Sequence, residues 1–158
     1  MFKTTDLYDE YLEKLQVAAP LFRDFGGRVK FSGQIVTLKA VEDNTYLKSS
    51  FETDGAGKVL VVDGSASMRA AMMGDVMATL GAGTGGEGVV INGCIRDSAD
   101  VAKVNLGVKA LATTPRKTVK RDQGVMNIPV HFADVTFIPG QYLYADEDGM
   151  VLSELPIV

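Results

Sequence analysis

Apolar residues recur at helical spacing near the start of the chain, at Leu7, Tyr8, Tyr11, Leu12 and Leu15. Thr4 or Thr5 can cap such a helix, Asp6 sits in its first turn, and Pro20 ends it. Phe25-Gly26-Gly27-Arg28 reads as a turn. Over 29–40 the pattern is that of a strand, with Phe31, Ile35 and Val36 apolar and Gly33 marking a bulge or bend. Asp43-Asn44 opens a second helix through Tyr46, Leu47 and Phe51. After the turn Asp54-Gly55-Ala56-Gly57, residues 58–64 form a continuous apolar strand. Such a run suggests burial on both faces, as in a sheet flanked by helices. Residues 68–80 are helical in composition but broken by Gly74, which predicts two helical pieces, the second starting at Asp75. Residues 88–95 form a second buried strand, 98–106 a short helix and 108–112 a strand. A polar, basic loop spans 113–124. The remainder is β-rich, at 125–132, 135–138, 141–144 and 150–152, with turns at Ala133-Asp134, Pro139-Gly140 and Asp146 to Gly149.

No repeat or linker interrupts this order. The 158 residues therefore suggest one α/β domain over 1–158, long enough to bury a core. Composition adds little, with 46% hydrophobic and 23% charged residues. Charge adds more. A net charge of −4 argues against a nucleic-acid backbone as partner, while leaving an acidic small substrate open, because local fields differ from the net. The single cysteine, Cys94, and single histidine, His131, exclude a disulfide framework and cannot build a structural zinc centre without other ligand types or chains. There is no membrane-spanning run and no signal-like start, so a soluble, cytosolic chain is expected.

Gly81-Ala82-Gly83-Thr84-Gly85-Gly86 has GxGxxG spacing, but it follows a helix and precedes a strand. A dinucleotide loop needs the reverse order, so the run reads as a helix end and turn. Arg116, Lys117, Lys120 and Arg121 form either a solvated face or a flexible edge of an anionic substrate site. No aromatic residue interleaves them, as single-stranded nucleic acid would favour. His131 has no ligand-spaced neighbour, which suggests a structural or surface role. Cys94 lies in an apolar strand without a base and reads as a small buried hydrophobe.

The strongest candidate is the combination of Asp75 with Arg96-Asp97, separated by twenty residues. Gly74-Asp75-Val76-Met77 starts a helix, and Arg96-Asp97 terminates the apolar strand, where open α/β sheets gather their sites. A carboxylate for a hard metal, a guanidinium for a substrate carboxylate and a run of helix-start N–H groups could converge there. That is the chemistry needed to hold a 2-oxo acid on a divalent cation. The alternative for Asp97 is a local ion pair or a helix N-cap, and for Asp75 a helix-start preference.

Pro20-Leu21-Phe22, Phe25-Gly26-Gly27-Arg28, 59–64, Gly74-Asp75, Gly93-Cys94-Ile95-Arg96-Asp97, Val135-Thr136-Phe137 and Tyr144-Ala145-Asp146 resemble the RraA-like family over nearly the whole chain. That family comprises regulators of ribonuclease E activity and class II 4-hydroxy-4-methyl-2-oxoglutarate aldolases. The resemblance implies a swivelling β/β/α domain with a layered sheet and flanking helices, assembled as a homotrimer or a hexamer. It implies a divalent cation, Mg or Mn, coordinated by Asp97, with Arg96 gripping the substrate and Asp75 orienting metal-bound water. Main-chain N–H groups of Gly74, Asp75, Val76 and Met77 would hold the pyruvyl carboxylate. The implied activities are cleavage of 4-hydroxy-4-methyl-2-oxoglutarate and decarboxylation of oxaloacetate. The aldolase pattern of Asp, then Arg-Asp, is intact here, whereas regulators typically lose the second Asp. Set against the longer aldolases, the resemblance leads to the expectation of a short form without their carboxyl-terminal extension. The rival expectation is a regulator that binds ribonuclease E or an RNA helicase. A Schiff-base lyase would need a lysine in the pocket, and neither 74–77 nor 93–97 contains one.

Overall fold

A computed structural model describes all of residues 1–158. The chain runs α1 (Thr4–Tyr11), β1 (Leu15–Val17), β2 (Arg23–Asp24), β3 (Phe31–Lys39), α2 (Thr45–Phe51), β4 (Lys58–Met73), α3 (Asp75–Gly83), β5 (Gly88–Ile95) and α4 (Ser98–Val101). It continues through β6 (Gly107–Thr113), β7 (Val125–Met126), β8 (Val130–Phe132), β9 (Val135–Phe137), β10 (Tyr142–Asp146) and β11 (Gly149–Ser153). The centre of the sheet is parallel, in the order β3, β4, β5, β6. Antiparallel strands extend it on both sides: β2 beyond β6, and β10, β11 and β1 beyond β3.

The apolar run that opens β4 explains the layering. Side chains alternate across a strand, so a run with no polar member must feed two cores. Leu60 and Val62 pack with Leu47 and Phe51 of α2, Ala78 of α3 and Val101 of α4. Val59 and Val61 face the other way, onto Val130, Phe132, Val135 and Phe137 of the β8–β9 hairpin. The result is helices, a large mixed sheet and a hairpin layer, which is the β/β/α arrangement expected. No helix is long and apolar enough to cross a membrane.

Four local expectations need correction. The first helix stops at Tyr11, with Leu12 at φ 44°, and Leu15 instead begins β1. Leu15 pairs with Ser153 and is buried in a small cluster with Leu7, Tyr144 and Val151, so sheet pairing replaces another helical turn. Residues 68–73 are strand, not helix. β4 bulges out after Asp63, through Ser65 and Ala66 at φ 55° and 57°, meets Gly93 of β5 at Ser67, bulges again and pairs with β5 at Ala71 and Met73. Helix propensity in an Ala/Met run yields there to burial of Ala70, Ala71, Met72 and Met73. The segment 98–106 is helical only over Ser98–Val101 and then turns. The strand expected over 125–132 is two short strands, split at Asn127 (φ 60°), whose N–H donates to the Thr37 carbonyl.

Candidate active site

The parallel register carries β4 and β5 to a common end, with Met73 beside Ile95. The chain after Met73 enters α3 through Gly74, and the chain after Ile95 continues into Arg96 and Asp97. The N–H of Arg96 donates to the Met73 carbonyl at 2.9 Å, which ties the two exits together. Gly74, Asp75, Val76, Met77, Arg96 and Asp97 therefore line one cleft of about 280 Å³.

Asp97 holds the N-cap position of α4, but its carboxylate is neither a cap nor half of an ion pair. Its side chain makes no cap bond to α4, although its carbonyl accepts from the N–H groups of Asp100 and Val101. None of the five ion pairs in the protein includes Asp75, Arg96 or Asp97. Asp97 also sits in the left-handed region, at φ 56° and ψ 41°. Such a conformation costs energy for a residue with a Cβ, and such residues cluster at functional sites. The carboxylate it presents lies so close to Gly74 that a Cβ on that glycine would meet Asp97 Oδ2 at 2.5 Å. Glycine at 74 therefore makes room for the carboxylate.

Gly74 is the N-cap of α3, and no side chain caps the helix. The first N–H groups of a helix have no partner within it and carry the positive end of its dipole. In α3 the residues that bear these groups line the cleft, with Asp75 in the first turn. The Asp75 side chain has no protein partner, while its carbonyl accepts a bond from Thr79 Oγ1.

The remaining wall was only half legible in the sequence. Lys117 and Lys120 line the cleft, whereas Arg116 and Arg121 of the same basic run do not. Asn44 and Lys48 line it as well and were missed, because nothing local to α2 signals that its start faces β5. The loop is latched to the start of α2: Arg121 N–H and Gln123 N–H donate to Asp43 Oδ2 at 2.7 and 3.1 Å. Burial pushes the Asp43 carboxyl up, but these bonds and those from Thr45 hold it below its ordinary value. The lysine-free segments 74–77 and 93–97 thus do not make a lysine-free cleft.

Other candidates fall away. The glycine run closes α3, with Thr84 as C-cap and Gly85 at φ 87°, so it cradles no dinucleotide. His131 is exposed on the hairpin and pairs through Nδ1 with Thr136 Oγ1. Cys94 is buried, and burial pushes its thiol up, away from nucleophilic use. Asp146, in the acidic Asp146-Glu147-Asp148 turn, is engaged by Thr4 through its N–H and Oγ1. A larger hollow of about 440 Å³ lies at the opposite end of β4 and β5, beside Lys58 and Gly88. It lacks the open helix start, and its charged side chains, Asp54 and Lys58, are each engaged by backbone groups, Ala56 N–H and the Asp54 carbonyl, so the smaller cleft is the better candidate.

Known proteins bear on this arrangement. The chain is 53% identical over 156 residues to a protein of Azotobacter vinelandii that carries the provisional name 4-hydroxy-4-methyl-2-oxoglutarate aldolase; the match covers 99% of this chain and 96% of that one. A solved structure from Geobacillus kaustophilus, described as an S-adenosylmethionine:2-dimethylmenaquinone methyltransferase, superposes with TM-score 0.96 at 42% identity, covering 99% and 97% of the two chains. The RNA-processing inhibitor RraA from Thermus thermophilis gives TM-score 0.96 at 39% identity, covering 100% and 96%. The RraA-like pattern, Aldolase/RraA, matches residues 4–152. With the fold, the cleft and these matches in agreement, the chain belongs to the RraA-like family.

Proposed function

We propose that this chain is a divalent-metal-dependent carbon–carbon lyase that cleaves 4-hydroxy-4-methyl-2-oxoglutarate to pyruvate and decarboxylates oxaloacetate. One observation carries the reading: the partnerless Asp97 carboxylate, set by a left-handed backbone against Gly74, between the uncapped start of α3 and Arg96. The provisional aldolase name of the A. vinelandii relative supports the lyase class.

The donors in the cleft suit a hard cation, Mg or Mn. They are the carboxylate oxygens of Asp97 and Asp75, with no imidazole or thiolate among them. Asp97 would hold the ion directly, and Asp75 would reach it through water. When bound, the cation supplies Lewis acidity for charge developing on the 2-oxo oxygen. The chain's own groups do the rest. Helix-start N–H groups at Asp75, Val76 and Met77 bind the carboxylate beside the keto group. Arg96 forks onto the same end of the substrate and adds positive charge where the enolate forms. As the C3–C4 bond breaks, its electron pair moves to C3 of the pyruvyl half and the C4 hydroxyl loses its proton. Asp75 takes that proton through water and returns it to C3. With oxaloacetate the same electron pair moves to C3 as C4 leaves as carbon dioxide. Lys48, Lys117 and Lys120 are exposed, unlike the desolvated lysine a Schiff base requires.

The test is pyruvate release from either substrate, with Mg present and then with EDTA. Activity should vanish on chelation and in Asp97→Ala, while circular dichroism stays unchanged. Undiminished turnover by Asp97→Ala would remove Asp97 from the site. Sodium borohydride added with pyruvate should leave the protein mass unchanged; a reduced adduct on a cleft lysine would replace the metal route.

A second reading is a regulator that binds ribonuclease E or an RNA helicase. It is favoured by the 39% identity, over the full chain, to a protein described as an RNA-processing inhibitor. Titration into a ribonuclease E cleavage assay separates the two, and no inhibition at micromolar concentration would set the regulator aside.

A further inference from the structure

The lyase reading uses Asp75, Arg96, Asp97 and the start of α3 and leaves three lysines of the same cleft unexplained. Arg96, Lys48, Lys117 and Lys120 line it against only two carboxylates, Asp75 and Asp97, in a chain whose net charge is −4. None of the three lysines has an ion-pair partner. Lys120 Nζ donates to Asn44 Oδ1 at 2.6 Å, and Asn44 Nδ2 donates in turn to the Met72 carbonyl at 3.0 Å. A neutral amide thus aims the ammonium without neutralising it, and two of its three donors remain for a ligand.

The segment bearing these lysines is fastened at both ends. Ala71 N–H donates to the Arg116 carbonyl at 2.7 Å, and Asp43 holds Arg121 and Gln123 by their N–H groups. Asp43 Oδ1 also takes bonds from Thr45 N–H and Oγ1, which fixes the carboxylate at the start of α2. Thr118, between the two cleft lysines, is buried. A positively charged wall held this firmly is a built feature, and the carboxylate next to the keto group already has the α3 start and Arg96.

We propose that Lys117 and Lys120 form a second anion subsite that reads the far carboxylate of a dicarboxylic 2-oxo acid, with Asp43 as the positioning residue that holds their loop across the cleft. The inference rests on the lyase reading. In retro-aldol cleavage the far carboxylate leaves unchanged on the carbonyl product, so its pairing is equal in ground and transition states and governs KM. In oxaloacetate decarboxylation the far carboxylate is the group lost as carbon dioxide. Pairing there stabilises a charge that the transition state gives up, so the lysines should not assist kcat.

The experiment compares 4-hydroxy-4-methyl-2-oxoglutarate with 4-hydroxy-2-oxopentanoate, an aldol lacking the far carboxylate, in wild type and in Lys117→Met/Lys120→Met. The kcat/KM ratio of the dicarboxylate to the monocarboxylate should fall roughly thirtyfold, through KM, as two charge-assisted bonds are lost. Asp43→Asn should move the ratio the same way; a merely structural role would lower both substrates together. Retained preference in the double variant, or an equal loss on both substrates, would overturn the subsite. Wild-type protein that turns over neither substrate with Mg would overturn the lyase reading and this proposal with it, a result distinct from either.

Discussion

Asp97 is where backbone and chemistry conflict most openly. Its φ of 56° suits Asn as well as Asp, since both tolerate the left-handed region. Asp97→Asn should therefore unfold within about 1 kcal/mol of wild type while losing pyruvate release, because it removes charge and leaves geometry. Gly74→Ala makes the converse test. Gly74 has an extended backbone, φ −123°, that alanine can adopt, so only the contact with Asp97 Oδ2 objects. The expected outcome is a folded protein with displaced Asp97 and at least tenfold lower kcat/KM, a loss of about 1.4 kcal/mol in transition-state binding. Arg96→Lys keeps the charge and loses the planar fork, and should cost at least as much. Wild-type kinetics in that variant would mean that the guanidinium does not contact the substrate.

At the scale of elements, three buried carboxylates fasten connections that the sheet leaves open. Asp43 latches the basic loop, Asp146 ties α1 to the β10–β11 turn through Thr4, and Asp63 holds the β4 bulge. Asp63 accepts from Lys39 Nζ at 2.8 Å, Asn92 Nδ2 at 3.0 Å and Ser65 N–H at 2.9 Å. For all three, burial raises the carboxyl pKa, but the hydrogen bonds outweigh it and the net shift is downward. A depressed native pKa gives stability that is present above the unfolded value, about 3.9 for Asp, and is lost as pH falls through the native value. Stability should thus hold through neutrality and fall steeply below about pH 4, as read from urea midpoints along a pH series. Asp63→Ala should cost roughly 2 kcal/mol at pH 7, chiefly by leaving the buried Asn92 amide unpaired, and should flatten that acid limb. An unchanged acid limb would assign it to other carboxylates.

For the whole molecule, the cleft is open at its mouth, and Val76 stands 80% exposed at the start of α3 with Val119 exposed on the basic loop. Apolar residues at the rim of a small-molecule site suit cover by a neighbouring subunit, as sites between chains often are. We therefore expect a homotrimer or hexamer with the Asp75, Arg96 and Asp97 cleft near an interface. Light scattering that reports a monomer at micromolar concentration, with full lyase activity, would overturn this.

Much of this molecule was legible in the sequence alone because it depends on local pattern. Two uninterrupted apolar runs foretold central strands buried on both faces, since a strand's period of two leaves no polar face to expose. A glycine before Asp75 foretold the start of α3, and Arg96-Asp97 foretold the end of β5, so the core of the candidate site could be named from spacing and resemblance. What the sequence could not decide were contacts between distant segments. Whether Asp97 capped a helix, paired with a neighbour or stood free depended on its backbone angle and on Gly74, twenty-three positions away. Whether 68–73 became helix or strand depended on a vacant edge of β5, which outweighed the propensity of its alanines and methionines. Which lysines of the basic run reached the cleft depended on Asp43, about eighty residues away along the chain. Local pattern selects elements because their periods are short, whereas the site is assembled by long-range register and hydrogen bonds, which only the folded chain supplies.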